Sequence, residues 1–231
     1  MALEPALSAP AHVSLLLASQ SPARLATLRA AGISPLVRVS GVDEDAVLAR
    51  AQADADGSLA PHEAVLALAR AKAEAVAAVA EHDADLLLAC DSMLEIDGAV
   101  VGKPHDPAVA THRWRTMRGR SGVLHTGHWL LDTRPAAEDG TGRSLGATAS
   151  TTVRFADLTD EEIDAYVATG EPLSVAGGFT VDGLGGAFVT ATDGDYHNVV
   201  GLSLPLLRTL VAELGVAWPR LWDASVRRPA R

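Results

Sequence analysis

The apolar run Leu86-Leu87-Leu88-Ala89-Cys90 leads straight into Asp91. In open α/β sheets, ligands collect beyond the carboxyl ends of buried strands, and a carboxylate there can hold a divalent cation or take a proton from water. An aspartate that merely opens a turn by bonding to its own backbone fits the same residues. A second such place is Ser19-Gln20-Ser21-Pro22, which follows the apolar run Val13 to Ala18 and precedes Arg24. Hydroxyls and free amides between a strand and a helix suit a phosphate, with Arg24 as a fixed cation, although a plain helix cap at Ser21 is the commoner use of such a sequence.

Lys72 occupies a slot inside the helical stripe Val65, Leu68, Ala75 and Val79. A lysine in that slot either snorkels to water or is held against an anion, whereas Arg70 and Glu74 are spaced as an ordinary exposed pair. Gly102-Lys103-Pro104 sets a cation on a stiff turn that either reaches a phosphate or decorates the surface, and Glu44, in the acidic stretch Asp43-Glu44-Asp45, is a metal ligand or a solvated charge. His125 and His128 are three residues apart, so on a strand they face opposite sides and do not share a metal. The glycine-dense stretch Gly177 to Gly186 lacks the ending of a P-loop and reads as tight turns or close backbone approach to a ligand.

These residues hang on alternating elements. Strands are expected at Val13 to Ala18, Pro35 to Val39 and Asp85 to Cys90, the last stopping at Asp91. Met93 to Val101 reads as a hairpin around Asp97-Gly98, Val123 to Asp132 and Ser150 to Phe155 as further strands, and Phe188 to Ala191 as extended. Helices are expected from Pro22 to Ala31, Pro61 to about Ala80, Pro107 to Met117, after the Thr159 and Glu162 capping box, and from Leu204 to Leu214. Asp43 to Asp45 and Pro135 to Gly146 read as loops. Alternation without repeats favours one α/β domain, a central mixed sheet with helices on its faces, with a core from about 13 to 214, a loose leader over the first dozen residues and a peripheral tail after Trp218.

Composition narrows the partners. A formal charge of -10 over 231 residues argues against a surface built to neutralise nucleic-acid backbones, so phosphate should meet a few local cations. No stretch approaches the ~20 continuous apolar residues of a membrane span, no basic residue precedes Arg24 to make a signal peptide, and the single Cys90 cannot pair within the chain. A reducing, cytoplasmic setting is expected.

Taken together, the segments resemble the Maf family of nucleotide pyrophosphatases. Its Ser-x-Ser-Pro-Arg-Arg opening is similar to Ser19-Gln20-Ser21-Pro22-Ala23-Arg24, its lysine-alanine helix to Ala71-Lys72-Ala73, and its Asp-Thr block to Asp91-Ser92. Its glycine-lysine-proline turn is similar to Gly102-Lys103-Pro104 and its His-Thr-Gly strand to His125-Thr126-Gly127. Further likeness runs through Gly170-Glu171-Pro172, Ala176-Gly177, Gly185, Gly194-Asp195-Tyr196 and Gly201-Leu202, so that it spans about Leu15 to Leu214 in order.

The resemblance implies two lobes around a cleft, usually a homodimer, and hydrolysis between the α and β phosphates of a nucleoside triphosphate with Mg²⁺ or Mn²⁺. Asp91 would accept the proton of water, with Ser19, Arg24, Lys72 and Lys103 around the triphosphate and Glu44 joining Asp91 on the metal. Specificity would turn on the departures: Ala23 for the first arginine, Ser92 in the Asp-Thr block, Ser174-Val175 for an Asp-Lys, and Asp182 where one branch has Gln and another Glu. The Gln branch prefers dTTP and UTP, the Glu branch 7-methyl-GTP, and Asp182 assigns neither. A different class of reading, from the family's effect on septum formation, is a regulator of cell division that binds nucleotide without turnover.

Overall fold

The computed structural model describes residues 11–79 and 84–227. Most of the expected leader, residues 1–10, lies outside them. Strand β1 (Leu15–Leu17) is wholly apolar and buried, and helix α1 (Pro22–Ala30) begins as its sequence dictates, with Ser21 as N-cap and proline in the first turn. Strand β2 (Leu36–Val37) is short and half exposed. The acidic stretch expected to be a loop is instead the start of helix α2 (Glu44–Asp54): Asp43 caps it by accepting from the Ala46 amide, and Glu44 and Asp45 lie at the positive end of its dipole.

Helix α3 (Pro61–Val79) is followed by strand β3 (Leu86–Ile96), strand β4 (Ala99–Val101), helix α4 (Pro107–Met117) and strand β5 (Ser121–Asp132). Strand β6 (Ser144–Phe155) starts inside the expected loop, because Gly146 lets the Trp129 ring of β5 lie across it. Helix α5 (Asp160–Ala168) has its full capping box. Three 3-10 turns between Glu171 and Phe188 lead to strand β7 (Val189–Asp193), helix α6 (Tyr196–Val200), which sequence reading missed, and helix α7 (Leu204–Glu213). The tail is built in rather than peripheral: Leu221 is 1% exposed in the first core, the Val13 amide donates to Arg220 O, and Ser34 bonds to Asp223 just before helix α8 (Ala224–Arg227).

The sheet is mixed and open, in the order β2-β1-β3-β5-β6-β7 with β4 also on β3. Only β1 with β2 and β1 with β3 pair in parallel. β3 does not stop at Asp91, as expected, because β5 goes on pairing with it from Leu86 to Glu95. Its other edge is interrupted. β1 accompanies it only to Leu88, and β4 joins only at Leu94. Between them β3 runs without a strand neighbour on that side, and Asp91 and Ser92 fall in the gap.

Three apolar clusters lie around this gap, one between β1, α1 and α7, one around Trp114 and Phe155, and one where α3 packs on Leu16, Ala18, Leu87 and Ala89. Helix α3 covers one face of β3 and β5, burying Ala64, Val65, Leu68, Ala69, Ala73 and Val76, while Val79, expected in the buried stripe, is 73% exposed. Among the described residues no helix is long and apolar enough to cross a membrane. Gly127 of β5 is what lets α3 lie so close, since a Cβ there would overlap the Val65 carbonyl. Gly127→Ala should therefore destabilise the fold by about 1–3 kcal/mol, the usual cost of overpacking, read from the urea midpoint. An unchanged midpoint would show that α3 yields freely.

Candidate active site

Asp91 points to the face of β3 that α3 covers and is 8% exposed. Lys72 meets it there, with Nζ 2.5 Å from Asp91 Oδ1 and 2.7 Å from Glu44 Oε1. The lysine inside the apolar stripe thus does not snorkel away: its side chain is 13% exposed and shared by two carboxylates from different elements. Burial pushes the Asp91 carboxyl above its ordinary value, with Glu44 adding to the rise, and the charges of Lys72 and Arg24 only partly offset it. For Glu44 burial acts in the same upward sense, but the Lys72 hydrogen bond and the charges of Lys72, Lys103 and Arg24 prevail and hold it below its usual value. One lysine therefore separates two acids, the inner one more basic than the outer.

Ser92 points to the opposite face of β3, as strand alternation requires, and there it meets Arg24. The guanidinium closes the unpaired edge of β3: Nη1 donates to Cys90 O at 2.7 Å and to Ser19 Oγ at 3.3 Å, Nη2 to Ser92 Oγ at 3.0 Å, and Nε to Gly201 O at 2.7 Å. Four of these bonds go to protein and a guanidinium has five N–H donors. Arg24 is therefore a strut between the β1 turn, β3 and the end of α6, with little left for a bidentate grip on phosphate. The Ser21 amide donates to Ser19 Oγ at 3.1 Å, which fixes the turn.

All of this faces one cavity of about 550 Å³. Ser19, Ala23, Arg24, Glu44, Lys72, Asp91, Ser92, Lys103 and Asp182 line it together. Lys103 arrives because β4 runs antiparallel to β3 and the chain beyond Val101 heads back toward the gap. The wall without basic groups is made by Val175 and Ala176 and, within the glycine-dense stretch that follows them, Phe179, Thr180, Val181 and Asp182. Sequence reading missed what holds that wall. The Glu171 carboxylate accepts from Tyr166 Oη at 2.9 Å, Thr180 Oγ1 at 2.5 Å, and the Leu184 and Gly185 amides at 3.0 Å, bracketing Asp182 on both sides. A lone Glu before Pro172 gave no periodic signal of that role.

Other candidates leave the site. His125 bonds to Ser150 and Glu95, and His128 accepts from the Ser203 amide at 2.8 Å, so the two do not converge. Burial lowers the His128 pKa to about 4 and keeps the ring neutral, and it raises the Cys90 thiol to about 12, making the cysteine an inert core group. Among the described residues no group of three or more His, Cys, Asp or Glu side chains converges on one point. Glu44 and Asp91 do converge on one ammonium, so a cation held by two carboxylates and completed by water or phosphate fits them, as suits Mg²⁺.

By fold and site this is an α/β protein with a cavity of about 550 Å³ in which Arg24, Lys72 and Lys103 surround a buried carboxylate. The Maf-like protein family model matches residues 14–214. The chain is 54% identical over 213 residues to a nucleoside triphosphate pyrophosphatase of Leifsonia xyli subsp. xyli, covering 91% of this chain and 97% of the relative. It is 54% identical over 208 residues to one of Streptomyces coelicolor, covering 90% and 94%, and 53% identical over 220 residues to one of Nocardia farcinica, covering 94% and 99%. The chain belongs to the Maf family.

The raised Asp91 carboxyl has a cost that can be measured. Because its pKa in the folded chain lies above its unfolded value, its contribution to stability is present below the ordinary carboxylate range and is lost as pH rises through the raised value. Asp91→Asn carries no such penalty, so its urea midpoint should gain on that of the wild-type chain as pH climbs from the carboxylate range to neutrality. A variant that loses ground over that range would contradict the shift.

Proposed function

We infer that the cavity hydrolyses nucleoside triphosphates, releasing pyrophosphate and leaving the monophosphate. The observation that carries this is the meeting, at a gap in one sheet edge, of a buried carboxylate with basic groups from three separate elements. Asp91, more basic than a free carboxylate, takes the proton from the attacking water. Lys72 and Lys103 bind the phosphates, and their charge balances what develops on the departing pyrophosphate. Ser19 and the amides of its turn add neutral donors at the start of α1, while Arg24 keeps the β3 edge in place.

Glu44 and Asp91 would hold Mg²⁺ or Mn²⁺, which when bound polarises phosphoryl oxygens and helps neutralise the leaving group. Lys72 now fills the point between those two carboxylates, and an arriving triphosphate gives its ammonium another partner. The base lies against the wall from Val175 to Asp182, where apolar side chains suit a flat ring and Asp182, with Ala23 and Ser92, tunes the choice among dTTP, UTP and modified nucleotides. A homodimer, on the strength of the family resemblance, and a cytoplasmic setting, on that of the single Cys90 and the missing basic start of a signal peptide, belong to the same proposal.

Purified chain with Mg²⁺ or Mn²⁺ should release pyrophosphate from at least one of dTTP, UTP, GTP and 7-methyl-GTP. Asp91→Asn should lower kcat by roughly 10²- to 10⁴-fold, the usual worth of a general base, while Lys103→Ala should raise KM and lower kcat together, since it removes both ground-state and transition-state charge. Binding without turnover of any of these nucleotides would move the chain to the regulator class, and full activity in Asp91→Asn would remove Asp91 from its role.

A further inference from the structure

On the face of β3 away from Lys72, four groups form a hydrogen-bond chain. Arg24 Nη2 donates to Ser92 Oγ at 3.0 Å, Ser92 Oγ lies 2.9 Å from Thr126 Oγ1, and Thr126 Oγ1 donates to Asn198 O at 3.1 Å. Its direction follows from its ends. A guanidinium can only donate and a carbonyl can only accept, and Thr126 has one hydroxyl proton, which goes to Asn198. Ser92 must then donate to Thr126 and keep its lone pairs for Arg24.

The far end is rigid. Thr126 and Asn198 are 0% exposed, and neither lines the cavity. Asn198 Nδ2 donates to Leu124 O at 3.0 Å and to Thr151 Oγ1 at 3.1 Å, which ties α6 to β5 and β6. Arg24 also donates to Gly201 O at the end of α6, so both ends of its guanidinium rest on that helix, one directly and one through the two hydroxyls.

We propose that Thr126 is a positioning residue for pyrophosphate release: through Ser92 it holds Arg24 on the unpaired edge of β3, where the guanidinium grips the Cys90 carbonyl on one side of Asp91 and the Ser92 hydroxyl on the other. Thr126 touches no substrate, and its effect is on where Asp91 stands. A valine of the same shape would leave the Ser92 proton without an acceptor and the Asn198 carbonyl with only the Gly201 amide as donor. Ser92 would then turn away, and Arg24 would lose one of its four anchors. A hydroxyl at position 126 is what matters, so serine should serve.

The test compares Thr126→Val with Thr126→Ser, using whichever of dTTP, UTP, GTP and 7-methyl-GTP the wild-type chain turns over fastest. Thr126→Val should lower kcat ~10- to 100-fold with little change in KM, as the loss of a supporting partner does. Thr126→Ser should restore most of it, and Ser92→Ala with Thr126→Val together should be no worse than the more damaged single variant. Wild-type kcat in Thr126→Val, an equal loss in Thr126→Ser, or losses that multiply in the double variant would overturn the proposal. Should Thr126→Val fail to fold, Ser92→Ala breaks the chain one link nearer Arg24 at a partly exposed residue, and wild-type kcat there overturns it equally. Because the proposal rests on the pyrophosphatase reading, Arg24 is also followed without nucleotide. Its Nε–H signal in ¹⁵N NMR should exchange slowly with water in the wild-type and Thr126→Ser chains and faster when the relay is cut. Equal protection in the cut chain would sink the relay whether or not any nucleotide is hydrolysed.

Discussion

A carboxylate inside a protein needs a partner, and here Asp91 shares one with Glu44. The ammonium of Lys72 stands 2.5 Å from the first and 2.7 Å from the second, so one positive charge answers two negative ones. Burial is why the two acids differ. Glu44, half exposed, keeps water as well as Lys72 and stays easily ionised, whereas Asp91 has lost most of its water and holds its proton more tightly. A base of raised affinity beside a displaceable cation follows from placing that lysine on the buried side of α3.

The sheet supplies the space. A continuous ladder on both edges of β3 would have left Asp91 under a neighbouring strand. Because β1 turns away after Leu17 and β4 pairs only with Leu94 to Ile96, a stretch of β3 between them is open, and the chain ends on either side of the gap bring Ser19 and Lys103 to it. Unpaired backbone in a half-buried place is costly, and Arg24 meets part of that demand by donating to Cys90 O. Its attachments to Ser92 and Gly201 make the opening rigid, and the close approach of α3 at Gly127 sets the height of Lys72 above it.

Much of this could be read from residue order. The apolar run before Asp91, the lysine in a helical stripe and the cap at Ser21 each gave a local signal, and the family resemblance joined them into one site. Local signals also misled. Asp43 with two acids after it is a helix start as much as an acidic loop, and α2 went unseen for want of an apolar stripe, since none of its residues is buried. Small residues from Ser144 to Ala149, with Gly146 among them, hid the first half of β6, whose pairing with β5 holds it in the sheet. The hairpin expected from Met93 to Val101 is there as the end of β3 with β4, but its unbroken junction with Leu86 to Cys90 through Asp91 was not visible, because a strand ends where its neighbours end and not where its composition changes. The bracing of the β3 edge by Arg24 was hidden because its partners, Cys90 O and Gly201 O, are backbone atoms distant in sequence. The same distance concealed Glu171, whose partners are a tyrosine, a threonine and two loop amides.

The quantity beneath all of these relations is the proton affinity of one side chain. Titration of the Asp91 carboxyl by ¹³C NMR, in the ligand-free chain and in Lys72→Met, measures it directly. The account predicts a midpoint above the ordinary carboxylate range in the wild-type chain and a further rise when Lys72 is removed. A midpoint at or below that range, or one indifferent to the loss of Lys72, would contradict it.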